Sequence, residues 1–121
     1  PLIKILTAIE PEKLPDVFKV IGKPYEGILD FVQSADFYIE AVPHGTSKAT
    51  GLLKVCEKLG IHSDQIIAFG DAKNDLEMIK LAGHGVAMGN ACDELKECAD
   101  EVTLTNNENG IVHTLNHLIF S

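Results

Sequence analysis

Long apolar runs are missing from this sequence, and none approaches the roughly 20 residues that a bilayer-crossing helix needs. The opening PLIKILTAIEPEKLP is broken by charge and proline, so it does not read as a signal peptide. Basic residues are scarce, ten Lys and Arg against 18 Asp and Glu, for a formal charge of −8 with the five histidines neutral. That balance argues against nucleic acid, whose phosphates are gripped by cationic side chains. It also repels phosphorylated ligands unless a bound cation intervenes. Cysteines are few and odd in number, Cys56, Cys92 and Cys98, with no Cys-x-x-Cys pair. Reduced thiols in a cytoplasmic protein are the simplest account. Cys92 and Cys98 have no suitably spaced histidine, which argues against zinc.

What remains is ordinary globular composition: 121 residues, 45% hydrophobic and 23% charged. Such a chain can bury a core of its own. It starts on proline rather than methionine, which points to a piece of a longer or processed chain.

The first 43 residues and the last 78 read differently. Leu2, Ile3, Ile5 and Leu6 suggest a short strand, and Pro15 to Ile21 a short helix behind a proline-bearing turn. Tyr25 to Ser34 is ambiguous between helix and strand. Phe37 to Val42 is aromatic and β-branched and stops at Pro43, the pattern of a strand. From Lys48 the spacing is regular. Ala49, Leu52, Leu53, Cys56 and Leu59 predict a helix, with Thr46 or Ser47 as its N-cap and Gly60 as its stop. Ile66 to Phe69 is wholly apolar, as a strand buried on both faces would be. Leu76, Ile79 and Ala82 predict a second helix. Gly85 to Met88, a helix from Cys92 to Cys98, a strand from Glu101 to Thr105, and a terminal helix through Ile111, Leu115, Leu118 and Ile119 complete the alternation. Repeated β–α succession with short connections predicts a parallel α/β layer.

The segment Gly70-Asp71-Ala72-Lys73-Asn74-Asp75 carries the chemistry. Ligands of open parallel sheets bind beyond the carboxyl ends of the strands. The strand over Ile66–Phe69 therefore delivers Asp71, Asn74 and Asp75 into one crevice. Two carboxylates about 5 Å apart repel by roughly 3 kcal/mol at an effective dielectric of 20. A divalent cation relieves that repulsion, and hard oxygen donors suit Mg²⁺. Capping and turn formation account for the same residues without a metal. Lys48, in the first turn of its helix, opposes the helix dipole by about 0.3–1 kcal/mol. That placement points to use, in holding a phosphoryl group or an aspartate.

These motifs resemble those of Cof-type haloacid-dehalogenase (HAD) phosphatases. The resemblance rests on Ser47-Lys48 opening a helix, on Gly70-Asp71-x-x-Asn74-Asp75 followed by Leu76-Glu77-Met78, and on Gly85-Val86-Ala87-Met88-Gly89-Asn90-Ala91. The closing segment, Ala99 to Thr103 and then Asn106 to Gly110, is similar as well. The resemblance implies an α/β fold, with residues 44–121 forming the C-terminal half of a Rossmann-like parallel sheet. Residues 1–43 would be the end of an α+β cap domain. It further implies a Mg²⁺-dependent phosphatase acting through a phosphoaspartyl intermediate on small phosphorylated metabolites such as sugar phosphates. Lys48 would hold the phosphoryl group and the nucleophile together. Asp71 would bind the metal directly, Asn74 would orient groups near the phosphoryl oxygens, and Asp75 would act on the metal through water or in its outer shell.

The sequence departs from that family in one respect. An Asp-x-Asp pair, which supplies the nucleophile and the acid/base, occurs nowhere among these residues, and the phosphate-gripping Ser or Thr that follows it is missing too. Both would lie upstream of Pro1, so the piece alone is expected to be inactive. The strand before Asp71 would then keep an open edge through which copies could associate. A non-catalytic phosphate- or metal-binding module is the competing reading. A receiver-like signalling domain fits poorly, because Lys48 precedes Asp71. His113 and His117 are spaced four apart without a Glu or Cys to complete a metal site. His44 reads as a loop histidine beside the cap-to-core junction. Met78 and Met88 read as core, and Gly83-x-Gly85 follows a helix and precedes a strand, the reverse of a dinucleotide fingerprint.

Overall fold

A computed structural model describes residues 3–120 of the chain. The chain divides into two compact units, Pro1–Thr46 and Ser47–Ser121.

The first unit is an antiparallel sheet with one helix. Its elements are β1 (Ile5–Ala8), α1 (Leu14–Gly22), β2 (Leu29–Ala35) and β3 (Tyr38–Pro43), with strand order β1-β3-β2. The aromatic and β-branched run centred on Ile39 becomes the middle strand, and Ile39 is buried. The ambiguous segment Tyr25–Ser34 resolves as a turn over Lys23–Tyr25 and then β2. A hairpin pairing Phe31 with Ala41 and Val32 with Glu40 decides it in favour of strand. The register slips between Gln33 and Ala35, which leaves Ser34 as an extra residue. Ile5, Thr7, Leu29, Phe31, Ile39 and Ala41 share one sheet face and line an apolar cleft of about 390 Å³. Leu2, read as part of the first strand, lies outside the described residues.

The second unit is a three-stranded parallel sheet in the order β4-β5-β6, comprising Ile67–Gly70, His84–Ala87 and Glu101–Val102. Its helices are α2 (Lys48–Leu59), α3 (Leu76–Leu81), α4 (Asp93–Cys98) and α5 (Gly110–Ile119). The α2 entry is a capping box: the Ser47 hydroxyl accepts from the Thr50 amide, and the Thr50 hydroxyl oxygen accepts from the Ser47 amide. Such a box satisfies amides that a bare helix start leaves unpaired. Gly60 ends α2 in the left-handed conformation. Ala68, Ile79, Ala87, Met88, Ala91 and Leu95 form the core, with Met78 packed against it.

Two expectations change. The last strand is two residues long, not five. Beyond it the Thr103 amide still bonds the Ala87 carbonyl, but the Thr103 hydroxyl turns inward to the Gly110 carbonyl. That bond bends the chain out of regular pairing. The Ile66–Phe69 run is not buried on both faces. Ala68 and Gly70 are buried, while Ile67 and Phe69 are half-buried. Among the described residues β4 is an edge strand. No helix among them is long and apolar enough to cross a membrane.

Candidate functional site

The parallel sheet ends β4 at Gly70, and the chain passes through Asp71 and a tight turn at Lys73–Asp75 into α3. That turn brings Asp75 back beneath the strand end. Its Oδ2 accepts from the Asp71 amide at 3.0 Å and from the Ala72 amide at 3.3 Å. Its Oδ1 accepts from the Lys48 ammonium, which arrives from the first residue of α2. Asp75 is 2% exposed, so its charge would be costly there without these partners. Burial pushes its carboxyl upward, but the Lys48 ammonium and the two amides outweigh it and hold it below the usual carboxylate range.

Gly70 makes this packing possible. A Cβ at that position would lie 2.7 Å from the Asp75 Cβ and 3.2 Å from its Oδ2. The glycine of the motif is therefore a steric requirement of the Asp75 side chain and not only a turn signal.

Asp71 differs from Asp75. Its carboxylate is exposed and accepts no hydrogen bond among the described residues, whereas its main chain is held on both sides. Its carbonyl accepts from the Cys92 amide at 3.0 Å, and the Gly70 carbonyl accepts from the Met88 amide at 2.9 Å. The backbone is thus fixed while the side chain stays available. Asn74 is half-buried in the turn that follows, next to Asp75 in sequence. Lys73 pairs with Glu94 at 2.7 Å, which keeps it off Asp71 and Asp75.

Of the residues singled out in the sequence, Lys48 and Asp75 meet directly, and Asp75 links Lys48 to the Asp71 main chain. His113 and His117 stack edge to face, with ring centroids 5.7 Å apart. His117 does acquire a carboxylate that sequence reading missed: Glu101 Oε2 lies 3.3 Å from His117 Nε2 and 3.1 Å from His84 Nε2. Thr114 donates to the other Glu101 oxygen at 2.8 Å. Among the described residues, however, no three His, Cys, Asp or Glu side chains are arranged to hold a metal. His44 pairs with Asp30 at 2.8 Å inside the first unit, and the Gly45 amide donates to the same carboxylate at 2.7 Å. The three cysteines are unbridged.

A model of haloacid dehalogenase-like hydrolases matches residues 1–115. The chain belongs to that family. It is 37% identical over 113 residues to 5-amino-6-(5-phospho-D-ribitylamino)uracil phosphatase YitU of Bacillus subtilis, covering 92% of this chain and 42% of that protein. With the phosphatase of the same description YcsE, also of Bacillus subtilis, it shares 46% over 91 residues, 75% of this chain and 36% of that one. A haloacid dehalogenase-like hydrolase structure from Bacteroides thetaiotaomicron superposes with a TM-score of 0.89 at 38% identity, covering 98% of this chain and 45% of that one. A HAD subclass IIB sugar phosphatase superposes with a TM-score of 0.79 at 29% identity, over 95% of this chain and 42% of the other. The chain therefore spans less than half the length of these family members.

Proposed function

We propose that this chain is the C-terminal part of a Mg²⁺-dependent phosphatase that hydrolyses small phosphorylated metabolites, sugar or polyol phosphates among them, through a phosphoaspartyl intermediate. One observation carries the reading: the buried Asp75 carboxylate holds the Lys48 ammonium and the Asp71 amide together at the carboxyl end of β4. Family membership and the phosphate-ester substrates in the descriptions of the relatives support it.

The donor set suits Mg²⁺. Asp71 offers an uncommitted carboxylate, and Mg²⁺ is commonly held by one or two carboxylates, with water and substrate phosphate completing the octahedron. Asp75 spends its oxygens on Lys48 and two amides, which suits an outer role. When bound, the ion would supply positive charge next to the phosphoryl oxygens.

In the proposed cycle an aspartate from outside these 121 residues attacks phosphorus, and the P–O bond to the alcohol breaks. The departing oxygen takes a proton from a general acid, also external, because no Asp-x-Asp occurs here. Water then attacks phosphorus and the acyl P–O bond breaks, freeing the carboxylate and inorganic phosphate, while the water proton returns to the external acid. Lys48 offsets charge on the transferring group while Asp75 fixes its ammonium. Asp71 presents its carboxylate from a backbone that cannot swing away, and Asn74 orients groups near the phosphoryl oxygens.

Two corollaries belong to the same reading. The 121 residues alone do not turn over phosphate esters. The open edge of β4 makes them self-associate, so sedimentation at tens of micromolar should reveal more than a monomer. The decisive assay tests the intact protein on a panel of phosphate esters with and without Mg²⁺. Asp71→Ala and Lys48→Ala should each abolish turnover in folded protein. Undiminished activity in Asp71→Ala would end the proposal.

A further inference from the structure

The proposed metal ligand Asp71 is held from behind by a loop that has no chemistry of its own. This loop, Met88 to Cys92, joins β5 to α4 and touches the β4 end twice, through Met88 to the Gly70 carbonyl and Cys92 to the Asp71 carbonyl. It is braced in turn by the segment after β6. The Gly89 amide donates to the Leu104 carbonyl at 3.0 Å. A Cβ on Gly89 would lie 2.8 Å from the Thr105 nitrogen and 2.9 Å from the Leu104 carbonyl carbon, so the two backbones are in contact. Asn90 then closes the arrangement: its Oδ1 accepts from the Asn106 amide at 2.9 Å.

That bond spans sixteen residues, and it is the one side-chain bond tying the 88–92 loop to that segment among the described residues. Asn90 is itself exposed, so it contributes little to core packing. The donor end is braced as well. The Thr105 hydroxyl donates to the Glu108 carboxylate at 2.6 Å, and the same carboxylate accepts from the Thr105 amide at 3.2 Å.

We infer that Asn90 is a positioning residue for the divalent-cation site. It pins the loop whose Cys92 amide holds the Asp71 carbonyl, and so sets where the Asp71 carboxylate can sit. The inference rests on the phosphatase reading above, in which Asp71 binds the cation. Groups that orient a metal ligand from behind typically change metal affinity by about 10- to 100-fold when removed.

Two substitutions break the same bond from opposite ends. Asn90→Ala removes the acceptor. Asn106→Pro removes the donor, at the first position of a short helical turn where proline is accommodated. The preceding Thr105, at φ −68° and ψ 166°, already has the extended conformation that a following proline imposes. The experiment measures Mn²⁺ affinity of the intact, substrate-free protein by electron paramagnetic resonance, with Asp71→Ala as reference. Amide exchange at Cys92 is measured in the metal-free protein.

Each single variant should bind Mn²⁺ about 10-fold or more weakly and exchange the Cys92 amide faster, with Val86 in β5 unchanged. The double variant should be no weaker than the worse single one, because both remove one bond. Wild-type Mn²⁺ affinity in both single variants, with Asp71→Ala impaired, overturns the positioning role alone. Wild-type affinity in Asp71→Ala as well overturns the metal reading beneath it.

Discussion

Asp75 and Lys48 form an ion pair in which only the acid is buried: the Asp75 side chain is 3% exposed and the Lys48 side chain 50%. The lysine can therefore reach a ligand while its partner cannot leave. An ammonium at a helix start is disfavoured by the dipole, and Asp75 offsets that cost. The pair stores positional accuracy more than stability.

Replacing Asp75 by Ala strands the Asp71 and Ala72 amides and releases Lys48. The expected cost is about 1–3 kcal/mol, from part-buried donors left without an acceptor. Because the folded carboxyl lies below its ordinary value, Asp75 contributes its stability above the unfolded pKa. That contribution is lost as pH falls through the lower, folded value. Denaturant titrations of wild type and Asp75→Ala should thus differ at neutral pH and converge in acid. Curves equally far apart at every pH would refute the linkage.

Gly70 and Gly51 provide a matched contrast. Alanine at Gly70 would drive a methyl into the Asp75 Cβ, 2.7 Å away, and destabilise by about 1–3 kcal/mol as overpacking does. Gly51, inside α2, has nothing within 4 Å of an added Cβ. Gly51→Ala should stabilise by about 0.5–1 kcal/mol through helix propensity. Thermal unfolding of the two variants measures both signs.

Much of this was legible in the sequence because it depends on local pattern. The cap at Thr46 or Ser47, the Gly60 stop and the spacing of Ala49, Leu52, Leu53, Cys56 and Leu59 lie within one helix, where period and punctuation suffice. The structure assigns the cap to Ser47 and leaves Leu53 and Leu59 exposed. The Gly-Asp-x-x-Asn-Asp run likewise lies within six residues and marks the turn at the end of β4 as the candidate site. What stayed hidden depends on partners distant in sequence. Glu101 gathers His84, Thr114 and His117 from β5 and α5, and nothing near Glu101 announces it. The strand beginning at Glu101 is shorter than its β-branched composition suggests and ends before Thr103. The Thr103 hydroxyl instead bonds the Gly110 carbonyl seven residues on, and a side-chain bond of that kind leaves no periodic trace. Tyr25–Ser34 was undecidable for the same reason, since pairing with β3 rather than propensity makes it a strand.

The Glu101 cluster anchors α5 to the start of β5. Burial raises the Glu101 carboxyl, but donation from His84 and Thr114 and the proximity of His117 bring it below its ordinary value. Its contribution, like that of Asp75, is present above the unfolded carboxylate range and fades as pH drops through the folded value. Glu101→Ala should loosen α5 before the sheet. Amide exchange at Thr114 and Leu115 should quicken at neutral pH while that at Ala87 stays slow, and equal acceleration throughout would count against an anchoring role.

Asp71 contrasts with Asp75 in burial and in bonding. Its main chain is bonded at both the amide and the carbonyl, and its carboxylate is exposed with no bonded partner among the described residues. Surface side chains without partners rarely matter to stability, and their removal usually shifts it by less than about 0.5 kcal/mol. Asp71→Ala should therefore unfold within that margin of wild type, because every bond Asp71 makes is a backbone bond that alanine keeps. The same substitution should remove Mg²⁺-dependent turnover from the intact protein. A carboxylate on a fixed backbone that the fold itself does not use is free to serve a ligand at no cost in stability. Loss of several kcal/mol in Asp71→Ala, measured by denaturant unfolding of metal-free protein, would instead make Asp71 a structural residue.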